Sequence, residues 1–139
     1  MKYYAVIDTN VVVSALLKMN SVPGCILELA FEGPIVPSLN DALEQDYLAV
    51  LSRTKLHLTD DIVTTIVGTF RRRGLYLDPA HIDIELPDPK DRVFYEIVME
   101  ERKKENAYLV TGNIKHFPQR SFIVTPRQML DIILKNQDQ

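Results

Sequence analysis

Asp8 interrupts an apolar stretch near the start of the chain. Tyr3-Tyr4-Ala5-Val6-Ile7 stands before it, and Val11-Val12-Val13-Ser14-Ala15-Leu16-Leu17 follows after Thr9 and Asn10. A short apolar run ending in two β-branched residues reads as a buried strand. The strand therefore delivers a carboxylate to its own C-terminal end, which in an open parallel sheet borders the ligand crevice. The rest of the chain can be judged by whether it returns acidic or polar groups to that edge. Three stretches are candidates: Asp46, Asp88 to Asp91, and Thr111-Gly112-Asn113.

Apolar spacing places helices between successive strands. Thr9 or Asn10 caps a helix through Leu17. Val11 to Val13 alone would favour strand, because β-branched residues are stiff in a helix, but the position directly after a strand and an aspartate favours helix. Lys18 to Val22 is a loop. Pro23 suits the first turn of a helix reaching about Phe31, with Ile26, Leu27 and Ala30 inward and Gly33 as its stop. Pro34-Ile35-Val36 reads as a short strand. Asn40 caps a helix from Asp41 to Ser52, whose Leu43, Tyr47, Val50 and Leu51 face the core.

A further helix begins at Thr59, with Asp60 and Asp61 in its first turn and Arg71 to Arg73 in its last, matching the helix dipole. It buries Ile62, Ile66, Val67 and Phe70, and Gly74 stops it. A short strand is expected around Ile82 and Ile84. Asp91 to Glu105 turns helical, burying Val93, Phe94, Ile97 and Val98. Ala107 to Val110 is a strand, Ile114 to Pro118 holds one helical turn, and Phe122 to Val124 is the last strand. Thr125, Pro126 and Gln128 make a reciprocal capping pattern that opens a helix lined by Met129, Leu130, Ile133 and Leu134. Residues 135–139 are expected to fray. Strands alternating with helices imply parallel pairing through right-handed crossovers. No Gly-rich dinucleotide loop and no phosphate-loop Lys-Ser/Thr motif occurs.

At 139 residues the chain is expected to form a single domain, 1–139. Its one cysteine, Cys25, excludes an internal disulfide framework and a thiolate metal cluster, and its apolar helical setting reads as a small buried hydrophobe. Residues 3–17 are broken by Asp8-Thr9-Asn10 and too short to span a bilayer, and no signal-peptide pattern is present. A cytoplasmic protein with no membrane association is the expectation. A formal net charge of −3 argues against a purely electrostatic nucleic-acid binder. It does not argue against an enzyme that neutralises its acids with metal ions while acting on phosphodiesters. Three basic clusters, at Arg71 to Arg73, Arg102 to Lys104, and Lys115 with His116 and Arg120, each read on their own as solvated surface.

Each candidate site residue has a structural reading beside the chemical one. Asp8, Asp88 and Asp91 all stand where a helix N-cap belongs. Asp46 sits mid-helix, where capping does not explain it but surface exposure does. Thr111-Gly112-Asn113 has turn composition. Taken together, several carboxylates at the ends of a parallel sheet would repel one another if bare. Hard divalent cations relieve that repulsion through oxygen ligands and would orient water and polarise a phosphate. With histidines only at positions 57, 81 and 116, a histidine-based zinc site has little support. Ser14, Ser38 and Ser52 have no evident base partner.

Four segments together resemble the PIN domain family, and more narrowly the prokaryotic PIN proteins described as toxins of toxin–antitoxin systems. They are Val6 to Leu16, Asp46 to Arg53, Asp88 to Phe94, and Leu109 to Pro118. The resemblance covers nearly the whole chain. It implies a three-layer α/β fold around a central parallel sheet of four or five strands, in the order 3-2-1-4-5. It also implies Mg2+- or Mn2+-dependent endoribonuclease chemistry, with metal-bound water as nucleophile.

By that resemblance Asp8 and Asp91 are the principal metal ligands, and Asp46 is a ligand or accepts from a bound water. Thr111 and Asn113 position water or phosphate. Thr9 and Asn10 brace the first acid, and Asp88 matches a less constant position. Arg92, Lys115 and His116 are candidate substrate contacts. Two departures stand out: Asn113 where many members carry aspartate, and Asp46 where glutamate is commoner. A homodimer, an RNA substrate and an antitoxin protein are the implied partners. A non-catalytic protein- or nucleic-acid-binding module and a structure-specific DNA nuclease are the alternatives.

Overall fold

The structure is a computed structural model and describes residues 1–53 and 55–137. Five strands form one parallel sheet: β1 (Tyr3–Ile7), β2 (Ile35–Leu39), β3 (Leu75–Tyr76), β4 (Tyr108–Val110) and β5 (Ile123–Val124). Their spatial order is β3-β2-β1-β4-β5, as the family resemblance implies. β1 is the central strand. It pairs with β2 from Tyr3↔Ile35 to Ala5↔Pro37, and with β4 from Ala5↔Tyr108 to Ile7↔Val110. Chain order reverses between β1 and β4, so the crevice at their C-terminal ends is the switch point where such sheets bind ligands.

The helices are α1 (Thr9–Leu17), α2 (Val22–Glu32), α3 (Asp41–Arg53), α4 (Asp60–Arg73), α5 (Arg92–Glu101) and α6 (Pro126–Gln137). They flank the sheet in a three-layer α/β arrangement. α5 lies across β1, β2 and β4, while α2 packs against β2 and against α1, α4 and α6. Caps fix where they start. Ser21 Oγ accepts from the Gly24 N–H, Asn40 Oδ1 from the Leu43 N–H, and Thr59 Oγ1 from the Ile62 N–H. At α6 the reciprocal pattern forms in full: Thr125 Oγ1 accepts from Gln128 N–H at 3.1 Å, and Gln128 Oε1 accepts from Thr125 N–H at 2.9 Å. Among the described residues no single helix is long and apolar enough to cross a membrane.

Several local expectations are corrected. Cys25 is exposed rather than buried. The inward stripe of α2 is Ile26, Leu27 and Ala30, which turns position 25 outward. In α4 the inward set is Val63, Ile66, Val67 and Phe70, an i, i+3, i+4, i+7 pattern that leaves Ile62 exposed. Leu134 is likewise exposed on α6, and Val50 and Val93 are half-buried. α5 ends at Glu101 rather than Glu105. α6 remains helical through Gln137, and residues 138 and 139 of the expected frayed tail lie outside the described residues.

No strand forms at Ile82 and Ile84. The Ile82 N–H is donated to the Glu96 carboxylate of α5 at 2.7 Å, so this segment finds a helix side chain instead of a strand partner. The two-residue β3 at Leu75–Tyr76 takes the sheet edge instead.

The basic clusters are bound into the fold more than the surface reading expects. Arg71 donates from Nε to Glu44 Oε1 at 2.8 Å. Arg73 donates to the carbonyls of Ala30 and Gly33 at the end of α2, where a cation meets the negative helix end. Arg102 donates to the Ala107 carbonyl at 2.6 Å, and its guanidinium lies 4.2 Å from the Phe122 ring centroid.

Candidate active site

Asp8 directly follows β1 and is 3% exposed. Its N–H extends the ladder to the Val110 carbonyl at 3.0 Å, which fixes its backbone beside the end of β4. The side chain caps α1: Oδ1 accepts from the Asn10 N–H at 3.0 Å. The other oxygen, Oδ2, accepts from Thr111 Oγ1 at 2.8 Å. Thr111 is itself fully buried after β4, and its N–H reaches the Val124 carbonyl of β5. The capping reading of Asp8 therefore holds through one oxygen, while the other oxygen is tied to the end of β4 through Thr111.

Asp46 arrives from α3 and is half-buried. Its Oδ2 accepts from Thr9 Oγ1 at 2.5 Å. Thr9 and Asn10 thus brace two different acids: the Thr9 hydroxyl holds Asp46, and the Asn10 backbone N–H holds Asp8. Asp91, half-buried in the short 3-10 turn Pro89–Asp91, enters at the start of α5. His116 Nδ1 and Asp91 Oδ2 are hydrogen-bonded at 3.1 Å. Asp88 caps that turn through the Lys90 N–H at 3.0 Å, as the capping alternative holds. Asn113 is fixed through its backbone, whose N–H is donated to Thr111 Oγ1 at 2.9 Å.

The acids feel one another. Burial pushes the Asp8 carboxyl above its ordinary value of 3.8; the Asn10 N–H and the Thr111 hydroxyl pull it down, and the Asp46 charge pushes it up again. Burial likewise raises Asp91, the His116 hydrogen bond opposes this, and the charges of Asp8 and Asp88 add to the rise. Burial and neighbouring negative charge thus both disfavour the ionised form of these two carboxyls, a cost that a cation would relieve. Among the described residues, however, no three His, Cys, Asp or Glu side chains converge closely enough to hold a metal ion. Magnesium commonly keeps several waters and uses one or two carboxylates. The donor set, all oxygen and all anionic, fits such an ion held by fewer than three protein ligands.

The remaining candidates are placed less directly. Arg92 is half-buried and donates to the Ile84 carbonyl at 3.4 Å, while Lys115 is exposed in the turn after Asn113. Tyr47 is a participant that the sequence reading assigned only to the core. Fully buried beneath the cleft, it donates its hydroxyl to the Ile7 carbonyl at 2.5 Å. Burial drives its pKa well above 10.0, with the charges of Asp8 and Asp46 adding to this. It therefore stays a neutral donor that ties α3 to the strand carrying Asp8. Its helical spacing marks it as core, but nothing local in the sequence marks a hydroxyl partner 40 residues away.

Comparison with known proteins identifies the family. The uncharacterized protein MJ1680 of Methanocaldococcus jannaschii is 26% identical over 146 residues, covering 94% of this chain and 91% of that protein. No solved structure matches the chain significantly. A family model described as PIN domain matches residues 4–115, a span that contains Asp8, Asp46, Asp88, Asp91, Thr111 and Asn113. The chain belongs to the PIN domain family.

Proposed function

We propose that this chain is a metal-dependent endoribonuclease that hydrolyses RNA phosphodiesters at the β1/β4 edge. The observation that carries the reading is that Asp46 is hydrogen-bonded to Thr9, the neighbour of Asp8, and Asp8 to Thr111 at the end of β4, with the Asp46 charge acting on Asp8 and the Asp8 charge on Asp91. Asp8 and Asp91 would hold Mg2+ or Mn2+, with Asp46 ligating directly or accepting from a water. When bound, the ion would supply Lewis-acid polarisation of the phosphate and would acidify the attacking water.

The chain's own residues do the positioning. Thr111 and the Asn10 N–H orient Asp8, Thr9 orients Asp46, and His116 holds Asp91 and can exchange a proton with it. Asn113 stands at the mouth as a neutral donor and acceptor for phosphate or water. Lys115 supplies exposed positive charge for the RNA backbone. Family membership supports a toxin role, with a homodimer as the working unit and an antitoxin protein covering the cleft.

The test is cleavage of matched single-stranded RNA and DNA oligonucleotides with manganese. RNA cleavage that is abolished by chelator and by Asp8→Asn is the expected result. Cleavage of DNA at an equal rate would move the assignment to a DNA nuclease. Among the described residues no three acids lie close enough together to hold a metal ion, and this and the neutral Asn113 favour one second reading, a binding module that kept the fold without turnover. Tight RNA binding with no cleavage under any divalent ion would support it.

A further inference from the structure

A groove of about 600 Å³ runs beside the acid-bearing edge, between α1, the start of α2, the loop after β4 and the start of α6. Its walls are aliphatic, with Val11, Val13, Val22 and Pro126 among them. Its polar lining differs from that of the acid cluster, since Asn10, Asn113 and Arg127 contribute two amides and a guanidinium. Acids would repel a phosphate strand here, whereas this lining does not.

Two observations tie the groove to the candidate active site. The first is continuity. The Asn10 N–H is donated to Asp8, and the Asn113 N–H to the Thr111 hydroxyl that in turn holds Asp8. The same bonds that orient the carboxylate thus fix both amide-bearing residues on the groove's wall. The second is charge. Arg127 is 64% exposed, and its contact with the equally open Asp131 spans 4.0 Å. An exposed pair at that distance holds its cation weakly, leaving it available to a phosphate.

A nucleobase needs apolar surface for its faces and amide-like groups for its edge. It can present both only when unpaired and unstacked, as in single-stranded RNA. Resting on the nuclease reading, we propose that this groove seats one unstacked nucleotide of single-stranded RNA next to the scissile phosphate. The base packs on Val13, Val22 and Pro126, its edge faces the amides of Asn10 and Asn113, and Arg127 takes the neighbouring phosphate. The groove then determines where the strand is cut, restricting cleavage to unpaired positions.

The experiment is nuclear magnetic resonance titration of the metal-free protein with each nucleoside 5′-monophosphate. Alongside it, manganese-dependent turnover of RNA and of bis(4-nitrophenyl) phosphate, a diester without a base, is measured on the wild type. Ser14 is an exposed α1 residue on the groove wall, so Ser14→Leu narrows the groove with a residue that suits a helix. The expected result is amide shifts confined to the groove, with affinity weakened about tenfold by Ser14→Leu, the size of losing one base contact. Arg127→Ala should weaken the nucleotides but not the free nucleosides.

Shifts outside the groove, no shifts at millimolar nucleotide, or unchanged binding by Ser14→Leu would overturn the subsite. If the wild type still turns over the baseless diester in that case, the nuclease reading survives alone. Groove binding in a protein that cleaves neither substrate would overturn the nuclease reading and the substrate role of the groove with it.

Discussion

Asp8 receives one N–H and one O–H while standing in the fields of Asp46, which raises its pKa, and His116, which lowers it. Its pKa is raised on folding, so the folded chain keeps this proton to higher pH than the unfolded chain does. Above the raised value the ionised group costs stability. Asp8→Asn keeps a side-chain oxygen for the Asn10 N–H and removes the repulsion. Its Nδ2 then faces the Thr111 hydroxyl, whose donated bond is lost, so the two effects oppose. The stability of the metal-free protein at neutral pH, read by urea denaturation, should change by no more than about 1 kcal/mol while metal binding is abolished.

Glu44 carries the opposite sign. The Arg71 guanidinium holds its carboxyl below the ordinary 4.5, so its contribution is complete above that value and is lost as pH falls through the depressed folded value. Denaturation of wild type and Glu44→Gln should differ at neutral pH and converge in acid. Asp8, Asp91 and Thr111 are readable from sequence as candidate site residues because they follow strands or precede a helix. The Thr9 to Asp46 and Tyr47 to Ile7 bonds are not, because they join positions 37 and 40 residues apart and leave no local pattern.

At the scale of elements, caps and glycines set the boundaries from which the site is built. α6 could be read from sequence because Thr125, Pro126 and Gln128 encode its start locally, and both reciprocal bonds form. Thr125→Ala should cost about 1 kcal/mol of stability by thermal or urea denaturation. At Gly24 an added Cβ would stand 1.9 Å from the Met19 carbonyl oxygen, a backbone atom that cannot simply rotate away. Gly24→Ala should therefore destabilise by roughly 1–3 kcal/mol and disturb the turn between α1 and α2. The segment from Leu75 to Leu86 was misread for a physical reason. Alternating Ile82 and Ile84 fit a strand, yet the N–H groups of Ala80 and Ile82 are donated to carboxylates of α5 and the Ile84 carbonyl accepts from Arg92. Periodicity reports which side chains are buried and not which groups take the N–H bonds.

Over the whole molecule, the distribution of charge matters more than its net value of −3. Arg71, Arg73 and Arg102 are engaged with Glu44, helix-end carbonyls and a ring, whereas Lys115 is exposed beside the acidic edge. Lys115→Ala should weaken RNA binding across sequences and lower the salt slope of the binding constant by about 1. Arg73→Ala should instead lower stability and leave that slope unchanged. The order of the sheet followed from the family resemblance, which places the first strand at the centre. The placing of Asp46 and Asp91 relative to Asp8 needed coordinates, because they come from α3 and from the turn before α5, far from β1 in the chain. Calorimetric titration with manganese tests the central claim most directly, comparing wild type with Asp8→Ala and Asp91→Ala, each checked for folding by circular dichroism. Binding in the wild type that is lost in both folded variants is the result expected of a metal-dependent nuclease. No binding in the intact protein, at manganese far above cellular levels, would contradict it.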